Sequence, residues 1–159
     1  MKLIFTSLVS MLLAATVYAM PSIGDIANYN ITITQKGQSM SGTLEQIIIN
    51  QVNGMYNIQS TININGQTQV QNDQKKPEAL FSDALVKDLL AHCANYSGQL
   101  ATITVPAGII DTCAVPTNEE GQTGTIWFSS VAFGVVKMDS TTADGDRIYL
   151  ELVSFKFGQ

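Results

Sequence analysis

The chain has 159 residues, of which 13% are charged and 45% are hydrophobic, and its formal net charge at pH 7 is −5. This acidic balance, without any cluster of Lys or Arg, argues against binding to nucleic acid or to anionic lipid surfaces. The length is that of one ordinary domain, and the polar residues are mostly Asn, Gln, Thr and Ser, which predicts a weakly charged surface.

Residues 1–19 have the three-part pattern of a secretory signal peptide. Lys2 supplies a short positive region, residues 3–17 are mostly apolar, and Val17-Tyr18-Ala19 ends the run at a site typical of signal peptidase cleavage. An uncleaved membrane anchor is the alternative, but the apolar run is shorter than the roughly 20 residues that a spanning helix needs. We therefore expect a mature single domain, 20–159, in the periplasm or cell envelope, with no stable membrane insertion after cleavage.

The first half of the mature chain has the alternation of a β-meander. Alternate residues are apolar in two stretches, which contain Tyr29, Ile31 and Ile33, and then Tyr56, Ile58, Ile62 and Ile64. Period-two alternation places one set of side chains in the core and the other in water. Between these stretches the apolar phase shifts across Glu45-Gln46, which predicts a β-bulge in a long strand. The dipeptides Asn53-Gly54 and Asn65-Gly66 predict tight hairpin turns.

One amphipathic helix is predicted after a polar connector, Gln71–Glu78. The helix runs from about Pro77 or Ser82 to His92. Its apolar stripe, at a spacing of 3.6 residues, comprises Leu80, Phe81, Ala84, Leu85, Leu89 and Cys93. We expect this stripe to pack on the sheet, since a lone helix beside a sheet normally covers its core. A partner-binding or membrane-surface helix is the alternative.

The two cysteines, Cys93 and Cys113, fit an export route. An even number of cysteines in an oxidising compartment favours a disulfide. A closed loop of this length would contribute on the order of 3 kcal/mol by the chain-entropy model. Two buried free thiols are the alternative.

The second half of the chain returns to strands. The predicted strands are Leu100–Val105 and Ile109–Val115, which flank the turn Pro106-Ala107-Gly108, followed by Thr123–Val131, Gly134–Met138 and Arg147–Phe157. The last of these is apolar on both sides, as expected if both of its faces are covered. The pattern predicts an α+β domain that is mainly β, with an antiparallel sheet of about eight or nine strands and one helix.

No group of residues has the spacing of a catalytic or metal centre. The single histidine, His92, precedes Cys93, and adjacent helical residues point about 100° apart, so they cannot form a Cys–His dyad. We expect a surface imidazole that pairs with Asp88, one turn earlier. A metal site needs three or more convergent ligands, which one histidine and two bonded cysteines do not supply. We therefore expect neither a catalytic residue nor a metal nor another cofactor.

Two C-terminal stretches resemble segments of uncharacterised exported bacterial proteins. Val105–Cys113 resembles a VPAG hairpin, and Trp127–Lys137 resembles a W…VPFG-x-VK segment. Ile110 stands where an aromatic residue is common, and Ala132 replaces the usual proline. These proteins are similar in architecture to the LolA/LolB-like periplasmic lipoprotein carriers. The resemblance covers about the C-terminal third and implies a curved sheet, a half-barrel, wrapped around the helix with an apolar concavity.

Two functional hypotheses follow, and an enzyme is the least favoured class. The first is a non-catalytic periplasmic module that holds a lipid, a lipoprotein acyl chain or an apolar peptide between sheet and helix. Its ligand-binding residues would be Phe81, Leu85, Leu89, Trp127 and Phe128. The second is an accessory structural subunit of an outer-membrane-associated assembly, such as a secretion complex, which docks envelope proteins through its strand edges.

Overall fold

The computed structural model describes residues 22–77, 80, 83–119 and 121–158. The predicted cleavage site and Ser82 lie outside these residues. Within them, the elements in chain order are β1 (Ile26–Gln35), β2 (Gln38–Val52), β3 (Met55–Ile64), β4 (Gln67–Lys75), α1 (Asp83–Ala91), a 3-10 turn (Cys93–Tyr96), β5 (Gln99–Val105), β6 (Gly108–Glu119), β7 (Gln122–Phe128), β8 (Val135–Thr141) and β9 (Arg147–Lys156).

All nine strands form one antiparallel sheet in the order β4-β3-β2-β1-β9-β8-β7-β6-β5. Two meanders, β1–β4 and β5–β9, join where β9 pairs with β1, and the segment containing α1 connects the two outermost strands. The main-chain N–H of Ala107 in the β5–β6 turn donates to the C=O of Leu152 on β9, although β6 and β9 are three places apart in the sheet order. Strands so far apart can meet only if the sheet curves. Over the residues that the structure describes, this confirms the prediction of a mainly β, antiparallel domain with one helix.

The alternation predicted for β1 and β3 is confirmed. One face, here called the inner face, carries Tyr29, Ile31 and Ile33 of β1, all of them buried, and it is the face against which α1 packs. Both residues of the Asn53-Gly54 and Asn65-Gly66 turns have positive φ angles. Two positive φ angles are the requirement of the type I′ hairpin turn, whose twist matches that of the strands.

The β-bulge predicted at Glu45-Gln46 is wrong. The pairing of β1 with β2 continues unbroken from Ile26↔Ile47 to Gln35↔Gln38, and the irregularity of β2 lies further on, between Ile48 and Asn50. Gln46 therefore stays on the inner face, where it is 6% exposed, and Ile49 is 41% exposed. Main-chain bonds to strands on both sides set this register and outweigh the local apolar pattern.

The predicted polar connector is partly wrong as well, because residues up to Lys75 belong to β4. An edge strand can be polar on both faces, since its main-chain hydrogen bonds to one neighbour hold it in place. The helix begins at Asp83 and ends at Ala91, one residue before His92, and the 3-10 turn follows.

The Cys93–Cys113 disulfide is confirmed, with 5.7 Å between the two Cα atoms. Both cysteines are buried, and the bond attaches the end of the helical segment to β6. Gly98 packs directly on it: a Cβ at this position would lie 2.6 Å from Cys113 Sγ and 2.8 Å from Cys93 Sγ. Only glycine fits between the chain and the two sulfur atoms without displacing them.

Candidate ligand-binding face

Three rows of paired residues cross the inner face on β2 and β3. They are Leu44↔Ile62, Gln46↔Ser60 and Ile48↔Ile58, and all six residues are buried. The middle row is polar: the Gln46 amide donates to Ser60 Oγ at 3.4 Å. Burying an amide in an apolar face costs free energy unless it is hydrogen-bonded. The inner face is therefore apolar with a single polar row at this end.

The row of paired residues that contains Gln46 and Ser60 continues across β1 to an exposed aromatic residue of β9, which contacts a second one. Gln46 pairs with Ala27, and Ala27 pairs with Phe155 of β9. Directly paired residues of antiparallel strands lie on the same face, so Phe155 lies on the inner face. It is 39% exposed, and its ring meets that of Phe157, which is 53% exposed, edge to face at a centroid distance of 5.6 Å. We call these five residues (Ala27, Gln46, Ser60, Phe155 and Phe157) the aromatic end.

Phe155 reaches the inner face because of an irregularity in β9. The register with β1 shifts between Asn28↔Ser154 and Tyr29↔Leu152, which leaves Val153 without a partner. One extra residue reverses the alternation that follows it. Strict period-two alternation would have placed Phe155 on the face opposite Leu152. This is why the pattern of apolar residues in the sequence did not identify Phe155 and Phe157.

The sheet is interrupted beside the aromatic end. The described pairing of β8 with β9 stops at Lys137↔Glu151, and beyond it β9 continues to pair with β1. The bond from Ala107 to Leu152 places the β5–β6 turn against β9 near this point. The aromatic rings thus lie where the inner face is not continued by a neighbouring strand over the full length of β9.

A buried carboxylate holds the C-terminal segment that carries Phe157. Asp25 accepts hydrogen bonds from the main-chain N–H groups of Gly158, at 2.7 Å, and Ser22, at 3.0 Å. The main chain around it is also bonded to β2, through Gly24 N–H to Ile48 O and Ile48 N–H to Asp25 O. These bonds fix the position of the aromatic end relative to the sheet.

Of the helix residues predicted to bind a ligand, Leu89 belongs to the core. Leu89 is 3% exposed, and Val86, which the predicted stripe omitted, is equally buried, whereas Leu85 is half-buried. Val86, Leu89 and Cys93 have the i, i+3, i+7 spacing of a helix face, so the periodicity contained the signal. Phe81 lies outside the described residues. The helix covers a filled core at Val86 and Leu89 rather than an open space.

Trp127 and Phe128 do not share a face. Phe128 is buried in the core, but Trp127, its neighbour on β7, lies on the outer face opposite Lys137, because adjacent residues of a strand point to opposite faces. The Lys137 ammonium lies 5.2 Å from the centroid of the Trp127 ring. Trp127 therefore lies on the face of the sheet away from α1.

The outer face around Trp127 carries a balanced set of charges. Lys137 Nζ also lies 5.1 Å from the Tyr149 ring centroid and 4.0 Å from Glu151 Oε1. Arg147 donates two hydrogen bonds to Asp139, at 2.7 Å and 2.5 Å. Cation–π contacts and ion pairs of this kind connect neighbouring strands across a wet face. With two cations and two carboxylates, the cluster is a neutral cross-strand contact.

Hydrogen bonds from Arg147 hold the pKa of Asp139 below its ordinary value. The contribution of the pair to stability is therefore present above the unfolded-state pKa of about 3.9 and is lost as the pH falls through the lower folded-state pKa. Asp139→Asn should lower the free energy of unfolding at neutral pH by at most about 1 kcal/mol, the upper end for exposed pairs. Denaturant unfolding of both proteins should show this difference vanishing in strong acid; a difference that persists there would contradict the assignment.

His92 forms the expected surface contact. Its Nδ1 lies 2.9 Å from Asp88 Oδ1, and the Tyr96 hydroxyl donates to Asp88 Oδ2 at 2.7 Å. The hydrogen bond from Tyr96, followed by that from His92, lowers the pKa of Asp88. All three residues are exposed. Within the described ranges, no three His, Cys, Asp or Glu residues are grouped closely enough to hold a metal ion.

In the part of the chain that the structure describes, no helix has the length and apolar character needed to cross a membrane. The chain matches no protein-family model, and it matches no curated protein.

Three solved structures share part of its architecture. The first is MucB in complex with MucA(peri), with 10% identity and a TM-score of 0.45 over 85% of this chain. The second is a putative lipoprotein from Parabacteroides distasonis ATCC 8503, with 12% identity and a TM-score of 0.44 over 89% of this chain and 99% of that one. The third is MucB alone, with 11% identity and a TM-score of 0.40 over 96% of this chain and 58% of that one. This chain spans 51% of MucB in the complex, about half its length. At identities and TM-scores this low, the ligand and the activity must be inferred from the chain itself.

Proposed function

We propose that this protein is a non-catalytic binding module of the cell envelope, which holds an acyl chain on the inner face of its sheet at the aromatic end. The observation that carries the proposal is the exposure of Phe155 on the inner face, with the exposed ring of Phe157 packed against it, next to the buried and mostly apolar part of that face on β1, β2 and β3. Exposed apolar clusters on a folded domain commonly mark binding sites.

The chemistry of the aromatic end suits an acyl chain that bears a polar group. Two phenyl rings supply apolar contact, and burial of each CH₂ group contributes about 0.8 kcal/mol. The Gln46–Ser60 pair lies in the same row of the sheet, but both side chains are buried and bonded to each other, so a polar group of the ligand would have to displace that hydrogen bond to reach them. An ester or amide at the end of an acyl chain has the complementary hydrogen-bonding groups.

The proposed site differs in position from the one predicted between sheet and helix. Leu89 and Phe128 are packed into the core, so the space that they were expected to line is filled. Half-buried Leu85 is the helix residue that stays a candidate for ligand contact. The envelope location is supported by the signal-peptide pattern of residues 1–19 and by the disulfide, because disulfides persist in oxidising compartments.

A thermal-shift series on delipidated protein tests the proposal. The ligands are a fatty acid, a lysophospholipid, an acylated peptide and the same peptide without its acyl chain. Ligand at a hundredfold excess over its dissociation constant should stabilise the protein by about 2.7 kcal/mol. Stabilisation by all three acylated ligands identifies the acyl chain, and stabilisation by the acylated peptide alone identifies a lipidated protein as its source.

The matched variants are Phe155→Ser with Phe157→Ser, and, as control, Leu100→Ser. Leu100 is an exposed apolar residue at the end of β5 that is remote from the β5–β6 turn. The double variant should lose the ligand response and keep nearly the melting temperature of the free protein, whereas the control should keep both. The proposal fails if no acylated ligand stabilises the protein or if the double variant responds like the wild type.

The second candidate function is that of a structural subunit that docks envelope proteins through its strand edges. It is favoured by the open order of the sheet, which leaves β4 and β5 each with one neighbour. Reproducible co-purification of one envelope protein with the wild type, lost when an edge strand is altered, would support it.

A further inference from the structure

Strand β4 forms one edge of the sheet, and we propose that this edge pairs with β4 of a second copy of the chain to form a homodimer with a continuous sheet. Gln67–Lys75 pairs with β3 over nine residues, from Ile64↔Gln67 to Tyr56↔Lys75. In the sheet formed by the described residues, β4 has no neighbour on its other side. This interface does not involve the aromatic end and is independent of acyl-chain binding, but it occupies one of the two edges that the second candidate function would use.

Alternate residues of β4 direct their main-chain groups away from β3. The two-residue turn Asn65-Gly66 makes Ile64↔Gln67 the hydrogen-bonded pair that closes the hairpin. Every second residue after Gln67 bonds to β3 in the same way. The residues whose N–H and C=O groups face the open edge are therefore Thr68, Val70, Asn72 and Gln74.

The β4 edge lacks the features that usually prevent strand addition. Its register with β3 has no irregularity, and it contains no proline. Its two charged residues, Asp73 and Lys75, lie at one end and form an ion pair with each other at 3.1 Å. The β5 edge is shorter, with 7 residues, and its adjoining turn is bonded to β9 through Ala107. A long, regular and unprotected edge is a template for another strand.

The side chains of β4 favour β4 itself as the added strand. On the outer face at this end of the sheet, amides and hydroxyls pair across the strands: Asn63 donates to Thr68 at 3.3 Å, and Gln59 donates to Asn72 at 3.2 Å. A further strand that continues this pattern must present amides and hydroxyls on the outer face. The outer-face residues of β4 are Thr68, Val70, Asn72 and Gln74.

Antiparallel pairing about a twofold axis at Val70 satisfies this requirement. It places Thr68 opposite Asn72 of the second copy, and Val70, which is exposed, opposite its equivalent. The three outward-facing pairs would form about six main-chain hydrogen bonds between the copies. No two like charges face each other, because Asp73 lies opposite Gln67. A twofold axis with one self-complementary patch is the commonest arrangement of soluble homo-oligomers.

Sedimentation of the full protein over a concentration series, together with oxidative cross-linking, tests this inference. Wild type should shift from monomer to dimer as its concentration rises, and Val70→Pro should raise the dimer dissociation constant at least tenfold. Proline at Val70 removes an outward-facing N–H and leaves the bonds to β3 intact. Thr104→Pro makes the corresponding change at the β5 edge and should leave the dimer unchanged.

Val70→Cys provides the second measurement. The described chain has no free cysteine, so a dimer linked by mild oxidation reports the introduced thiol. Equivalent residues of a hydrogen-bonded antiparallel pair have Cα atoms about 5.5 Å apart, within reach of a disulfide. Val70→Cys should cross-link and Thr104→Cys should not. Wild type that stays monomeric at every concentration, a dimer unaffected by Val70→Pro, or cross-linking as efficient at Thr104 would each overturn the proposal.

Discussion

Replacing Cys93 and Cys113 together by serine is expected to lower the free energy of unfolding by about 2–5 kcal/mol. The bond closes a sequence separation of 20 residues, and its loss returns conformational freedom to the unfolded chain. The substitution also destabilises the folded state, because both cysteines are buried and two serine hydroxyls would lie in an apolar site. The helical segment would keep its packing contacts and lose its covalent attachment to β6.

Denaturant unfolding of the wild type, the double serine variant and the reduced wild type measures this effect. The reduced wild type separates the loss of the bond from the burial of hydroxyls, so it should fall between the other two. Labelling of unfolded, unreduced wild type should find no free thiol. Equal stability of oxidised wild type and the double variant would contradict the expected role of the disulfide.

Leu89→Ala is expected to cost about 2–5 kcal/mol, and Leu85→Ala should cost clearly less. Leu89 is buried in the core cluster, whereas Leu85 is half-buried on the same helix, so the two variants delete the same atoms in different environments. The penalty of a large-to-small change grows with the cavity that remains, and a partly exposed site leaves little cavity. Comparing the free energies of unfolding of these two variants therefore tests whether α1 packs against a filled core.

The same denaturant series applies to these variants, with Leu85→Ala as the matched control. A full penalty at Leu89 alone supports a packed core under the helix and leaves the aromatic end as the candidate for ligand contact. A small penalty at both positions would contradict the packing and return the ligand to the space between sheet and helix. Phe155→Ser should cost less than Leu89→Ala in either case, because Phe155 is 39% exposed and Leu89 only 3%.

Much of the sheet could be predicted because the relevant signals are local. The alternation around Tyr29 and Ile31 is a property of neighbouring residues, and it correctly assigns the inner face of β1. The hairpin at Asn65-Gly66 follows from the ease with which these two residues adopt positive φ angles. The disulfide followed from an even cysteine count and an export signal, which are also properties of the sequence alone.

The candidate site was much less predictable. The apolar stripe of the helix correctly included Leu89, but an amphipathic pattern does not distinguish a residue that fills the core from one that borders a cavity. Trp127 and Phe128 are adjacent residues of one strand, so alternation by itself places them on opposite faces and the sequence already contained this signal. Phe155, by contrast, follows the unpaired Val153 of β9. The direction of a side chain after an irregular residue depends on which partner strand accepts its main-chain hydrogen bonds.

The sequence by itself determined the export pattern, the strand class, the tight turns and the cysteine pair, all of which depend on residues close together in the chain. Only the tertiary structure decided that β9 lies beside β1, that Gln46 faces inward and that the unpaired Val153 turns Phe155 to the inner face. These features arise from pairing between residues more than a hundred positions apart in the case of β1 and β9. The main-chain hydrogen bonds between strands are the same for every residue except proline, so the side-chain pattern alone cannot specify which strands meet or in which register.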